Sequence, residues 1–300
     1  MAPTIGYYKQ AIAADPNFAL AHAQLAYAYA RLAVFLEPTQ PAWLALAKEE
    51  IAQAQRLDSQ LAETHLARFQ LFYSEFEDYD VEAAVREVLL ASQLNPNIGH
   101  VELAYMYSHL GLEDLAAREV ARALDVDPTS EQPKETALLV YEVQSRFDDY
   151  AADRNVRHDG RMETLYLIAK GRLDDAQKAV DDWSARQRGV IDLPPTTALL
   201  LAAKGEFPAA EAQIPLVLAR HPLKDPTYHH AAYDIACVYA LEGKSADAVK
   251  WLRESAVNGF HLYPRYTRDA LLNRIRQSPE FIQFLAEMKA ENDKYRREFS

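Results

Sequence analysis

Glycine is scarce in this chain: nine in 300 residues, about 3%, against roughly 7% in an average protein. Phosphate-cradling loops and tight hairpins need glycine for positive φ, so the shortage argues against nucleotide-binding folds and hairpin-rich β proteins. Cysteine is nearly absent. A single Cys237 excludes an internal disulfide framework and a multi-cysteine zinc site. No apolar run approaches the roughly 18 residues that span a bilayer, and residues 1–10 lack the charged and apolar regions of a signal peptide. A cytoplasmic chain is expected, or a periplasmic one if a parent protein carries a membrane span. A basic stripe is missing as well. Lysine and arginine number 32 against 44 acids, a net charge of −12, and the densest basic cluster, Lys294, Arg296 and Arg297, is mixed with acids. An acidic surface repels phosphate backbones, so no nucleic-acid partner is expected.

What is abundant is the set of good helix formers, Ala, Leu, Glu, Gln and Arg, within a composition 49% apolar and 25% charged that suits a folded chain. Self-similarity is clearest over residues 100–128. Leu103 and Tyr107 lie four apart on one helix face, with small Ala104 beside them to admit a partner helix. Gly111 ends that helix in the left-handed conformation. Ala116, Val120 and Ala123 make the stripe of a second helix, which Asp127-Pro128 stops. The order recurs in Leu25-Ala26, Tyr29, Ala47, Ile51, Ala54; in Phe72, Ala84, Val88, Ala91; in Gly171, Ala176, Val180, Trp183; in Ala198, Leu201, Gly205, Ala210, Ile214, Val217; and in Ile235-Ala236, Tyr239, Gly243, Ala248, Leu252.

This helix-turn-helix of about 34 residues resembles the tetratricopeptide repeat. The resemblance implies an all-α solenoid: about seven antiparallel helix pairs stacked into a right-handed superhelix, with no β-sheet. The expected organisation is repeat units over residues 1–130, a degenerate repeat or irregular connector over 131–160, further units over 161–258 and capping helices over 259–300. Within the connector a helix is expected from Lys134 to about Arg146, and irregular chain over residues 148–160. The turn over residues 35–43 is stretched, Pro215 should kink its helix, and Phe281, Phe284, Leu285 and Met288 mark a last helix that caps the open end. Tyr8, Ala11 and Asp15-Pro16 match the second half of a repeat, so the chain reads as a fragment cut from a longer protein; a native chain starting with a lone capping helix is the alternative.

Over nearly its whole length the chain also resembles the C-terminal repeat regions of bacterial signalling proteins, which follow a eukaryotic-like Ser/Thr kinase, a cyclase or a winged-helix domain. The residues that carry this are Asp15-Pro16-Asn17-Phe18-Ala19-Leu20-Ala21-His22, Leu61-Ala62-Glu63-Thr64-His65, the stretch from Tyr233 to Gly243, Asn258-Gly259-Phe260 and Ser278-Pro279-Glu280-Phe281. A regulatory or partner-binding arm is implied, and not an enzyme.

Other motifs weigh less. Gly243-Lys244-Ser245 matches the end of a phosphate loop, but Val238 stands where that loop needs its first glycine. Asp153, Asn155 and Asp159-Gly160 hint at a calcium loop, yet His158 and Thr164 occupy the positions of its glycine and glutamate. The acidic run Glu75, Glu77, Asp78, Asp80 reads as a charged turn, or as a steering patch for a basic partner. His230, Asp234 and Cys237, at i, i+4 and i+7, share one helix face and form a secondary candidate, as a metal site or a Cys-His pair lacking a further ligand from elsewhere. No metal and no cofactor is expected.

The main candidate is the concave wall, lined by first helices of stacked units. There stand Gln24, Tyr27 and Arg31; Gln70, Tyr73 and Ser74; and Glu102, Tyr105 and His109. Tyrosine offers rigid apolar area with a polar tip, and glutamine can bond an extended peptide backbone. Chaperone-binding members of the repeat family clamp a terminal carboxylate with Lys, Asn and Arg. Ala23, Tyr27, Leu66, Gln70 and Val101 on this wall argue against such a clamp. The expected function is therefore to hold a protein or peptide, basic or neutral, which could be another domain of the parent. A spacer or oligomerisation arm, self-associating through the N-terminal half-repeat, is the alternative, with a ligand sensor or enzyme built on the middle region a third.

Overall fold

The computed structural model describes residues 2–37, 40, 42–153, 159–186, 192–223 and 225–299. Among them there is no strand, and the helices pack in consecutive antiparallel pairs. A lone first helix, α1 (Ala2–Ala14), precedes seven pairs: α2 (Ala19–Arg31) with α3 (Ala42–Leu57), α4 (Ala62–Phe72) with α5 (Val81–Leu94), α6 (His100–His109) with α7 (Glu113–Val126), α8 (Glu131–Val143) with α9 (Phe147–Ala152), α10 (Gly160–Ala169) with α11 (Leu173–Arg186), α12 (Leu193–Ala203) with α13 (Phe207–Arg220), and α14 (Tyr228–Glu242) with α15 (Ser245–Val257). A short α16 (Tyr263–Arg268), a 3-10 turn (Ala270–Ile275) and the long α17 (Pro279–Phe299) complete the chain. It is an all-α solenoid.

The repeat positions are the packing positions. Leu103, Ala104, Tyr107, Ala116 and Ala123 are buried, as are Leu25, Ala26, Tyr29, Ala47 and Ala54. At Gly111 the backbone takes φ +67°, and Leu112 N–H returns to Tyr107 O at 2.8 Å, closing the end of α6. Small residues at the helix contacts set the inter-helix distance. Ala104 and Ala236 are completely buried, so Ala104→Leu or Ala236→Leu should overpack its pair and cost about 1–3 kcal/mol. Urea unfolding checks this, and variants that melt like the parent would show the small positions to be misassigned.

Three N-terminal units share a polar tie that the apolar pattern does not reveal. His22 meets Glu50 at 2.5 Å, His65 meets Glu87 at 2.7 Å and His100 meets Glu119 at 2.7 Å. Each links the start of a first helix to its own second helix. Repeated histidines at the head of successive units, with a glutamate on the following helix, were a signal available in the sequence.

One expectation changes. Residues 148–160 were expected to be irregular, yet α9 occupies residues 147–152. Tyr150, 1% exposed, anchors that short helix in the core. Asn155 and His158 of the calcium-loop hint lie outside the described residues, and Asp159 instead caps α10 by accepting from the Arg161 and Met162 amides. The stretched turn begins with a π turn, Leu32–Leu36, that prolongs α2, while Pro38 and Pro41 lie outside the described residues. Gly243 is the left-handed cap between α14 and α15, and Lys244 is engaged by Glu211 and Glu242. Asp80 of the acidic run caps α5, and Glu77 pairs with Lys48 at 3.0 Å.

The last helix caps the C-terminal pair and then continues past it. Phe281, Phe284 and Met288 join the core built by α10 to α15. Two to three turns later Tyr295 and Phe299 join a separate core with Phe69, Tyr73, Val81 and Leu110. A 21-residue helix is about 30 Å long, enough to reach from one core to the other. Asn292 donates to Leu110 O at 2.9 Å, Arg296 meets Asp114 at 3.2 Å, and Lys294 and Arg86 pair with Glu82 and Glu298. The C-terminal segment thus folds back onto the pairs α4–α5 and α6–α7.

Candidate functional site

First helices α2, α4, α6 and α8 present one face to a common hollow. One part of it, about 330 Å³, is lined by Tyr27 and Arg31 of α2, Gln70 with the following Tyr73, Glu102 and Tyr105 of α6, and Gln132, Glu135 and Leu139 of α8, among others. An adjoining part, about 550 Å³, adds Gln24, Glu63 and Leu66. Seven of the nine wall residues singled out in the sequence therefore meet in one place. They do so because positions three and four apart on stacked parallel helices fall in register across the stack.

Ser74 and His109 do not. Ser74 is buried, and its hydroxyl donates to Leu71 O at 2.5 Å. His109 lies one turn beyond Tyr105 on the same face, but His261 N–H donates to its carbonyl at 2.8 Å and Phe260 packs on its ring at 5.5 Å. The returning segment has covered that end of the wall. It also claims Tyr73, whose hydroxyl donates to Gly259 O at 3.3 Å, leaving the residue 4% exposed. Tyr73 is a core residue touching the hollow, not a free anchor.

The open part of the hollow is acidic. One guanidinium, Arg31, faces the carboxylates of Glu63, Glu102 and Glu135. Tyr27 donates to Glu102 at 3.5 Å, bridging α2 and α6. Burial pushes the Glu102 carboxyl above its usual range, against the pull of Tyr27 and Arg31, and burial with Glu102 pushes the Tyr27 hydroxyl up. Gln70 is 6% exposed, and its side-chain oxygen has no hydrogen-bond partner. A buried acceptor left unmet costs about 1–3 kcal/mol, a cost that a bound donor would relieve if the side chain turned out into the hollow.

The secondary candidate comes apart. Asp234 accepts from Arg161 at 2.9 Å. Cys237 is wholly buried in the C-terminal core, and burial raises its thiol well above the usual range, which keeps it protonated. His230 turns instead to His109, 3.3 Å away between their Nε2 atoms. The middle region holds a further cavity of about 430 Å³. Its polar groups are already paired with one another or with neighbours: Asp269 accepts from Tyr233 at 2.8 Å, Arg265 at 3.2 Å and Ser145 at 3.3 Å, and Arg268 reaches Glu113 at 3.0 Å.

No protein-family model matches the chain, and no curated protein matches it. Among solved structures it is similar to the crystal structure of the P58(IPK) TPR domain, at 14% sequence identity and a TM-score of 0.36, over 96% of this chain and 82% of that one.

Proposed function

We propose that the chain is a protein-interaction module that holds an extended, neutral or basic peptide segment in the hollow between α2, α4, α6 and α8. The observation that carries this is an acidic hollow walled by rigid aromatics. Among the described lining residues three carboxylates against one guanidinium favour positive charge, and a peptide N–H could meet the Gln70 oxygen once that side chain turns outward. The polar groups of the middle cavity have partners of their own, so the hollow is the better site. In this reading the module is the regulatory arm of a larger bacterial signalling protein, working in the cytoplasm on a segment of another protein or of the parent itself. Self-association through Ile5, Tyr8 and Ile12 fits less well, since these side chains already pack against Leu25, Ala26 and Tyr29.

The test is a peptide-library selection followed by calorimetry. Tyr27→Ala and Tyr105→Ala should each weaken the selected peptide by about 1–2 kcal/mol. Gln70→Leu should weaken it less, and binding should fall with salt. Arg118→Ala and Lys250→Ala, exposed on other faces, should leave it unchanged. Binding that ignored Tyr27, Gln70 and Tyr105 would move the site elsewhere.

A further inference from the structure

His109 near the end of α6 and His229 and His230 at the start of α14 are 120 residues apart in sequence, yet one nitrogen from each lies within 4.8 Å of the others. The tautomer of His109 follows from its neighbours. Its Nδ1 stands 2.9 Å from Tyr105 O and donates there, so its Nε2 lone pair faces the cluster. Fixing one ring nitrogen on a backbone carbonyl is how proteins orient a ligating imidazole. That lone pair meets His230 Nε2 at 3.3 Å. Two nitrogens each about 2.0–2.1 Å from a tetrahedral zinc ion stand roughly 3.3–3.4 Å apart. His229 is fully buried, and neither of its ring nitrogens has a partner. An imidazole with both nitrogens unmet in the interior is costly unless something binds one of them.

The cluster is enclosed by aromatic rings and by ion pairs. Tyr73, Tyr105 and Phe260 wall the cluster, with the Tyr105 ring 4.2 Å from that of His109. Arg161 is paired with Glu142 and Asp234, and Arg265 with Asp269. His230 keeps some exposed surface, so a fourth ligand such as water could join the three imidazoles from that side.

We propose that His109, His229 and His230 form a three-histidine site for a divalent late transition cation, zinc first. Imidazole donors without carboxylates suit zinc, copper or nickel and not magnesium or calcium. The ion would tie α6 to α14 directly behind Tyr105, holding that end of the hollow. The proposal does not depend on what the hollow binds.

The experiment uses the full chain, without a histidine tag, stripped with a chelator and titrated with Co²⁺ alone. Uptake of one Co²⁺ per chain with the intense visible bands of a tetrahedral site, displaced by Zn²⁺, is the expected result. His230→Ala should abolish those bands while keeping the helical circular dichroism of the parent, because that side chain is partly exposed. His109→Gln should do the same, and His65→Ala, whose imidazole belongs to the Glu87 tie, should bind as the parent does. Zn²⁺ should raise the melting temperature of the parent and not of His230→Ala. No Co²⁺ uptake, a weak octahedral spectrum, or uptake unchanged in His230→Ala would each overturn the proposal.

Discussion

Arg161→Met is expected to destabilise the protein by about 3–5 kcal/mol, enough to remove a third or more of the stability of a typical domain. The guanidinium sits at the start of α10, 7% exposed. It donates to Glu142 of α8 at 2.9 Å, to the Thr196 hydroxyl of α12 at 3.1 Å and to Asp234 of α14 at 2.9 Å. Four helices from successive pairs thus share one cation. Methionine fills most of the volume but strands two carboxylates, and an unpaired buried charge is costlier than the pair is worth. The diagnostic step follows from that asymmetry. Adding Glu142→Gln and Asp234→Asn to Arg161→Met should restore much of the loss, because the penalty lies in the stranded charges. Urea midpoints of the single and triple variants decide it. A single variant as stable as the parent would mean that water already serves these carboxylates.

The second large effect is at Tyr73. Tyr73→Ala should cost about 3–5 kcal/mol, the range for deleting a buried aromatic ring, whereas Tyr73→Phe should lose only the hydroxyl bond, about 1 kcal/mol. The ring lies edge-on to Tyr105 at 5.7 Å and near His109 and His229 at 5.9 and 6.4 Å. Its hydroxyl reaches Gly259 O, and a Cβ at Gly259, where φ is +105°, would meet the same ring at 3.0–3.4 Å. Thermal melts of the two variants separate ring from hydroxyl. If Tyr73→Ala melted like the parent while losing a peptide ligand, Tyr73 would be an anchor after all.

Much of the fold was legible because it is local. Leu103, Ala104 and Tyr107, or Ala47, Ile51 and Ala54, declare their buried faces through spacing alone, and Gly111 and Gly243 mark where helices end. Most of the wall was legible for the same reason: Tyr27, Arg31, Glu102 and Tyr105 are what remains once packing positions are assigned. What could not be read is the return of the chain. Nothing in the periodicity around residue 259 says that Gly259 will meet Tyr73, that His230 will face His109, or that Tyr295 will enter a core begun by Phe69. Those choices depend on the accumulated twist of the stack, and each contact joins segments whose local patterns are silent about the other. The helix α9 was missed for a different reason. Six residues with one fully buried side chain give too short a stripe to set a period.

The doubling-back of α17 alters how the molecule comes into being. In an open stack every contact is between neighbours, so folding can start at any repeat and spread, with little chain entropy lost at each step. Here Tyr73 must find Gly259 and Arg86 must find Glu298, and closing loops of that length is slow because the entropy is lost before any contact rewards it. The α4–α7 region, with Val81 and Leu110, is therefore expected to complete its packing only once α17 has docked. On a ribosome α17 emerges well after α4 to α7, so the pairs it covers are made long before the segment that completes their packing.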